Sequence, residues 1–482
     1  MNTRTSRGTC SLRTFQSTIL AALLLGSGCA SLDASREVGL AAYTADRVGG
    51  SMTPAEAWSL PVEGESPAWN GIEPLTYDNA VAVALQGDPE LRRALAVIVE
   101  RRAQYVQQGL PPNPTVAFGV GTAVDGLSGA PLFIQGIQML SWIWKNPYRV
   151  SAAEAQLRAA IYIASERCVD VAARTRTELA AVLAAQETLD LEQQYVQITQ
   201  KTLDLVRAMH EAGELAHLEL DRAIVDHEQA LTAMVASEYT LKNARLELLG
   251  TMGRPTATTD WIAQGELPPN WAIPTDEEAL LDLAAIGRLD VAARSESVRQ
   301  IGAELGLAET LRFPDVGFTL RYQDNSSGRR AVVPGASITL PILDNGDPAI
   351  AMQMAKLRQA ELELLASIET AQRQVRIGLN HYLDARTRTS IIRDGQLDAA
   401  IAAQTRSDAA YAEGEVDLNT LLMTQRQRIA VERSLVEQQF RTMQSMCELR
   451  RAVGGSFDPA AVTVPKIEIE ARSSASKQES SS

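Results

Sequence analysis

Two hydrophobic periods alternate along this chain, and the alternation occurs twice. From Pro147 to Met209 there is neither Gly nor Pro, and apolar residues recur at i, i+3 and i+4: Leu179, Val182, Leu183, Leu189, Leu191, Val196, Ile198, Leu203 and Leu205. That is a helical period. Roughly 60 residues at 1.5 Å each span about 90 Å, longer than a compact globule of this size holds. The Ala-rich stripe is narrow and suits coiled helix-on-helix packing. Elsewhere the period is two. Val116, Phe118 and Val120 alternate with Ala117, Gly119 and Gly121. Val316, Phe318, Leu320 and Tyr322 alternate with Gly317, Thr319, Arg321 and Gln323. Their partner segments set Ile137 and Met139 against Gly136 and Gln138, and Ala336, Ile338 and Leu340 against Ser337 and Thr339. Polar loops at 125–130 and 324–330 separate the members of each pair.

The two passes are copies. Asp88-Pro89-Glu90-Leu91 matches Arg288-Leu289-Asp290-Val291, and Pro112-Asn113-Pro114 through Phe118 matches Arg312-Phe313-Pro314 through Phe318, both at an offset of 200. Glu211-Ala212-Gly213-Glu214-Leu215 matches Ala412-Glu413-Gly414-Glu415-Val416 at 201, as do Leu248, Met252 and Gly253 with Leu449, Val453 and Gly454. Landmarks in one order with almost no drift mark an internal duplication. The expected units are 72–260, with strands at about 113–141, and 275–455, with strands at about 315–342. A Pro/Trp/Gly-rich linker, 261–274, joins them. Each copy predicts a first helix (76–108 or 276–311), two strands, a long helix after Pro147 or Pro348 that ends at Gly213 or Gly414, and a last helix.

The first 28 residues read as a leader. Arg4, Arg7 and Arg13 precede the apolar run Ile19 to Leu25, which is too short to span a bilayer of about 30 Å. Gly26-Ser27-Gly28-Cys29 follows, a lipobox with its Leu one place early. The thiol of Cys29 is the expected lipidation site, and an ordinary cut near Ala30 is the alternative. Ala30 after the Cys favours the outer membrane of a Gram-negative envelope. Residues 29–71 would form a lipid-anchored segment and 456–482, ending in a Ser-rich run, a disordered tail. The net charge of −14 becomes −17 once the leader's three arginines are removed. That argues against nucleic acid as a partner. Of four cysteines, Cys10 leaves with the leader and Cys29 takes lipid; Cys168 and Cys447 remain, expected as free thiols in helix seams.

No run after residue 29 approaches 18 apolar residues, so any membrane crossing must use strands. Apolar-out, small-or-polar-in alternation suits a lipid-exposed barrel with a wet lumen. A soluble hairpin packed on a helix would alternate similarly, and the long helices alone would suit a plain coiled-coil scaffold. Four strands cannot close a membrane barrel, and open edges are not tolerated in lipid. Several chains must then share one barrel by cyclic symmetry, and a trimer gives twelve strands.

The order of these landmarks resembles the TolC-like outer-membrane efflux protein family, lipoprotein type, over about residues 72–455. The stretches that carry the likeness are Leu75-Thr76-Tyr77-Asp78-Asn79-Ala80-Val81, Pro112-Asn113-Pro114, Leu340-Pro341-Ile342-Leu343-Asp344-Asn345-Gly346, Tyr411 through Leu418, and Leu449 with Val453-Gly454-Gly455. No single motif is specific; their order, spacing and duplication are. The resemblance implies a mainly α protein with a membrane β-barrel contribution: a homotrimer with a twelve-stranded barrel in outer-membrane lipid above a periplasmic α-helical tube. It implies a periplasmic adaptor and an inner-membrane pump, with the RND type expected. Family turns carrying Gly-x-[Leu/Val] correspond to Gly213-Glu214-Leu215 and Gly414-Glu415-Val416, which become the adaptor-docking tips. A periplasmic constriction would fall at Asp417, Thr420 and Met423, where an acidic gate is weakly represented. The function implied is a passive duct for drugs, toxic compounds or metal ions. Type I protein secretion is the alternative within that class, and a lipid-anchored coiled-coil scaffold the alternative outside it.

Nothing in the sequence assembles a catalytic group, a phosphate cradle or a cofactor site. The histidines are His210, His217, His227 and His381. His210 and His217 are seven apart, a spacing that shares a helix face, but Gly213 interrupts the helix between them. No metal site is therefore expected there.

Overall fold

The break in the first helix of each half falls where two backbones must touch. The computed structural model describes residues 34–47, 69, 73–121, 132–269, 272–324, 329–464 and 466–469. The expected leader 1–28, Cys29, the loop at 125–130 and the end of the chain at 470–482 lie outside the described residues. The helices are α1 (Ser35–Arg47), α2 (Tyr77–Gly87), α3 (Pro89–Gln108), α4 (Trp142–Glu211), α5 (His217–Thr251), α6 (Glu277–Gly287), α7 (Leu289–Glu309), α8 (Asp347–Ile391), α9 (Asp398–Ala412), α10 (Leu418–Ala452) and α11 (Pro459–Val462). The strands are β1 (Thr115–Val120), β2 (Leu132–Met139), β3 (Asp315–Asp324) and β4 (Arg330–Thr339).

The single helix expected at 76–108 is two. Asp88 is extended (φ −65°, ψ 117°), its Oδ1 accepts the Leu91 N–H at 2.7 Å, and Pro89 opens α3, where its missing donor costs nothing. The second half breaks in the same way at Arg288 (φ −76°, ψ 111°). The cause is a close crossing. A Cβ on Gly87 would strike the Met252 carbonyl, and one on Gly253 (φ +71°) would lie 2.5 Å from the Gly87 oxygen. Two hundred residues on, a Cβ on Gly287 would lie 2.7 Å from the Val453 oxygen, and Gly454 (φ +103°) closes on Gly287. Only glycine permits these contacts. The leucines behind them, Leu248 and Leu449, are fully buried.

Helix α4 runs 70 residues, about 105 Å at 1.5 Å per residue. It begins at Trp142 rather than after Pro147, which sits in its second turn. Along α4, Leu157, Ile161, Ala164, Cys168 and Leu179 are sealed against Leu91, Leu95 and Ile98 of α3 and Val38 and Ala41 of α1. Ser165 Oγ ties α1 to α4 by donating to the Ala41 carbonyl at 3.1 Å. A second core joins α6, α8 and α10 through Leu280, Val375, Leu379, Leu449 and Val453. In the linker, Trp261 is buried edge-on to Trp69 at 5.5 Å, and Leu75 forms a parallel bridge with Ala263.

The expected disorder from 456 is corrected for the part described. Val462 and Ile467 are buried, Arg158 Nε donates to the Ile467 carbonyl at 3.0 Å, and the Val464 N–H donates to Ile286 at 3.1 Å. These few apolar residues sit just ahead of the Ser-rich run that dominates the composition of the end. Cys168 and Cys447 are free and buried. Cys447 packs beside Ala180, twelve residues along α4 from Cys168, or about 18 Å. Burial pushes the Cys168 thiol up to about 12.

The four strands form one antiparallel sheet in chain order, β1-β2-β3-β4. Each half supplies a hairpin, and β2 pairs with β3 to join them, with Gly136 opposite Leu320.

Candidate functional site

Two places bear on function: the sheet at one end of α4 and the helix turns at the other. Registration decides the faces of the sheet, because directly paired residues point the same way. Val116, Phe118 and Val120 line up with Gly136, Ile134 and Leu132, then with Leu320 and Tyr322, then with Pro334 and Val332. This face is apolar and bare: Phe118 is 80% exposed. The opposite face carries Thr115, Ala117, Gln135, Thr319, Arg321, Gln323, Ser337 and Thr339. Ile137 and Met139 lie on that second face, paired with Thr319 and Gly317, which corrects their assignment to the apolar set. The alternation within β2 was legible; its phase relative to β1 and β3 depends on pairing. Arg321 hydrogen-bonds Gln135 Oε1 through Nη2 at 2.6 Å and lies over the Phe133 ring. Gly119 leaves that ring its space. Among the described residues, the outer edges of β1 and β4 pair with no strand.

At the far end, α4 stops because Gly213 adopts φ +79°. The Glu214 N–H then reaches back to the Met209 carbonyl at 2.9 Å and the Gly213 N–H to that of His210 at 2.9 Å, closing the helix. Gly414 (φ +76°) repeats this, with Glu415 N–H to Ala410 at 2.8 Å and Gly414 N–H to Tyr411 at 3.1 Å. The two turns are neighbours. Leu203 and Val206 of α4, Ala223 of α5, and Leu418, Leu421 and Leu422 of α10 form one apolar cluster. Tyr411 OH lies 3.9 Å from Met209 Sδ.

The six turn residues therefore divide by exposure. Gly213, Glu214, Gly414 and Glu415 are exposed, whereas Leu215 and Val416 are half-buried, with Leu215 packed on the cluster. At the starts of α5 and α10 the exposed apolar side chains are Leu218 (58%) and Met423 (61%); the turn motif pointed to neither, and only Met423 was expected near the site, as part of the constriction. Asp417, Thr420 and Met423 lie at the start of α10. Asp417 caps that helix, accepting from the Thr420 N–H at 2.9 Å and the Thr420 hydroxyl at 2.5 Å. The Thr420 hydroxyl and N–H hold its carboxyl below the usual range.

Just inside the tip lies a charged joint that sequence reasoning missed. Asp226 of α5, 1% exposed, accepts from Arg426 Nε of α10 at 2.5 Å and from the Tyr195 hydroxyl of α4 at 3.2 Å. Burial, and then Asp226, push the Tyr195 hydroxyl up to about 12. Buried Glu192 of α4 pairs with Arg433. The overlooked signal is positional: Asp226 and Arg426 are opposite charges 200 residues apart, one position from the 201 offset that relates these helices.

The pattern that defines outer membrane efflux proteins matches residues 80–254. That match spans 175 of the 482 residues. The family it matches is one of channels, not of enzymes. The chain is 22% identical over 361 residues to the cobalt-zinc-cadmium resistance protein CzcC of Cupriavidus metallidurans, covering 73% of this chain and 84% of that protein. It is 21% identical over 446 residues to the pyoverdine export outer membrane protein OpmQ of Pseudomonas putida, covering 84% and 93%. Its fold is that of the open-state MtrE outer membrane channel of Neisseria gonorrhoeae, at TM-score 0.68, 18% identity and coverage of 79% and 89%. Family members share the architecture seen here: mainly long helices with four antiparallel strands.

Proposed function

We propose that three copies of this chain close a twelve-stranded barrel in the outer membrane and that their helices form a periplasmic tube, a passive duct for small molecules or metal ions. The observation that carries this reading is the sheet. It has two unpaired outer edges, one bare apolar face and one polar face, and it sits on a helix far longer than its own core requires. Lipid satisfies the apolar face, water the polar one, and only neighbouring copies satisfy the edges. The names of two relatives, one for cobalt, zinc and cadmium resistance and one for pyoverdine export, favour small cargo over protein secretion. The units 72–260 and 275–455 each supply one hairpin and one helical arm. Cys29 carries lipid and anchors the chain without crossing the membrane.

Energy comes from an inner-membrane pump, of the RND type, through a periplasmic adaptor that meets the tips. Glu214 and Glu415 with the exposed Leu218 and Met423 form the docking surface, and Leu215 and Val416 hold the turns from beneath. Asp417, Thr420 and Met423 edge the tube's narrow end. Crosslinking tests the barrel. Cysteines at Ala117 on β1 and, singly, at Ala331, Val333, Gly335 or Ser337 on β4 should give a covalent trimer in outer-membrane fractions for at least one pair. Monomers alone throughout would refute the shared barrel. Drug or metal tolerance of a Leu218→Asp/Met423→Asp variant then tests the tips, with loss of tolerance expected at unchanged trimer abundance.

A further inference from the structure

Gly213 interrupts the helix between His210 and His217, which argued against a shared face. In the folded chain the same glycine brings them together. By turning the chain back on itself, it sets His210, in the last turn of α4, against His217, the first residue of α5. Their ring centroids are 5.3 Å apart, with planes at 66°. Each ring has its Nδ1 engaged. His210 Nδ1 lies 2.9 Å from the Leu215 carbonyl oxygen, and His217 Nδ1 lies 3.3 Å from Asp221 Oδ2. A carbonyl oxygen only accepts, so His210 Nδ1 carries the proton and leaves the lone pair on Nε2; the nearby Asp221 carboxylate favours the same tautomer at His217.

Metal-binding histidines are held in this way, with the second nitrogen donating to a carbonyl or carboxylate that fixes the tautomer and raises basicity. The spacing agrees. With metal–nitrogen bonds of about 2.0–2.1 Å at tetrahedral angles, two imidazole centroids on one ion lie about 5 Å apart. We propose that His210 and His217 form a two-histidine site for a divalent transition-metal ion of the zinc, copper, nickel and cobalt class, which imidazole nitrogen suits. Among the described residues no three His, Cys, Asp or Glu groups are placed to hold an ion. The remaining coordination positions are therefore open to water or to a residue from a docked protein. The His217 side chain is 73% exposed, so the site is open to solvent, and a bound ion would staple α4 to α5 across the turn. The second turn has Tyr411 and Leu418 at the equivalent positions, so the site belongs to the first turn alone.

The test uses the full chain, purified without a polyhistidine tag. Zinc is titrated in competition with a chromophoric chelator, and bound copper is examined by electron paramagnetic resonance. One ion per chain and coupling to two nitrogens are expected. His210→Gln and His217→Gln should each weaken binding at least tenfold, and Asp221→Asn about 10-fold or somewhat more. His227→Gln and His381→Gln serve as controls, since His227 is buried with Nδ1 3.2 Å from Thr199 Oγ1 and His381 faces Glu448 on α10. Unchanged zinc affinity in the His210→Gln/His217→Gln double variant, or a copper signal without two-nitrogen coupling, would overturn the site. Because the readout is binding, it is independent of whether the chain conducts anything.

Discussion

Helices α4 and α8 occupy matching places in the two halves, yet they are treated in opposite ways. Helix α4 is one unbroken rod, most of whose apolar residues are covered by α1, α2, α3, α5, α7 and α10, with Ile143, Ile163 and Leu205 left exposed. Helix α8 gives way to a six-residue π segment, Ile392–Leu397, before α9, and it leaves Met352, Met354, Leu362, Leu365, Ile368 and Ile377 exposed. Both carry a helical apolar period. The difference is that α4 is covered on most sides within the chain, whereas α8 packs on α6, α7 and α10 and leaves its other side bare. A duplicated unit has been divided between an inner support and a surface, and in the proposed ring that surface meets the next copy.

The sharpest way to break this contrast is truncation. Leu179→Ala in α4 should cost about 2–5 kcal/mol, through lost burial and a cavity. Leu362→Ala in α8 should leave the single chain within about 0.5 kcal/mol of its parent while lowering trimer stability. Denaturant midpoints and native-gel trimer fractions report the two effects. Equal effects on the single chain would erase the distinction between the helices.

The joint between the halves is the next test. Arg426→Ala leaves Asp226 buried with Tyr195 as its remaining partner, and a loss of about 3 kcal/mol is expected. Asp226→Ala frees an Arg426 whose side chain is already 51% exposed, so the loss should be smaller. Urea unfolding of both variants checks the order; a larger loss in Asp226→Ala would contradict it.

Glycines sharpen the comparison further. Gly87→Ala and Gly287→Ala, at equivalent crossings, should each destabilise by at least about 1–3 kcal/mol through overpacking. Gly213→Ala meets only open space and should cost about 1–2 kcal/mol, for its left-handed backbone alone. Thermal midpoints should rank them in that order.

The smallest effect depends on pH. Glu166 on α4 is raised from 4.5 to about 7 by burial, then by Asp290 and Asp170, against the opposing pull of Arg288 and Arg451. The folded protein therefore holds this proton more tightly than the unfolded chain. Its contribution to stability is full below about pH 4.5 and is lost as pH rises through about 7. Glu166→Gln should raise stability at pH 8 by on the order of 1–2 kcal/mol, allowing for solvent at this half-buried group. It should leave stability at pH 4 unchanged. A gain that did not vary with pH would exclude titration as its cause.

The sequence by itself determined the long helices, the strand alternation at 116–120 and 316–322, the duplication, and the glycine turns at 213 and 414. Each is written in residues adjacent along the chain or in the repetition of such a stretch, and local sterics and periodicity suffice to read it. Tertiary structure alone decided that Ile137 and Met139 face the polar side of the sheet, because phase follows from strand pairing, with Thr115 and with Thr319 and Gly317 about 180 positions away. It also decided that Gly87 and Gly287 break the first helix of each half, since the backbones that press on them come from Met252 and Val453. The packing of Val462 and Ile467, the closure of Arg426 on Asp226, and the meeting of His210 with His217 belong to the same class. These are contacts made by turning and folding the rods, and a one-dimensional period records which face of a rod is apolar without recording what comes to cover it.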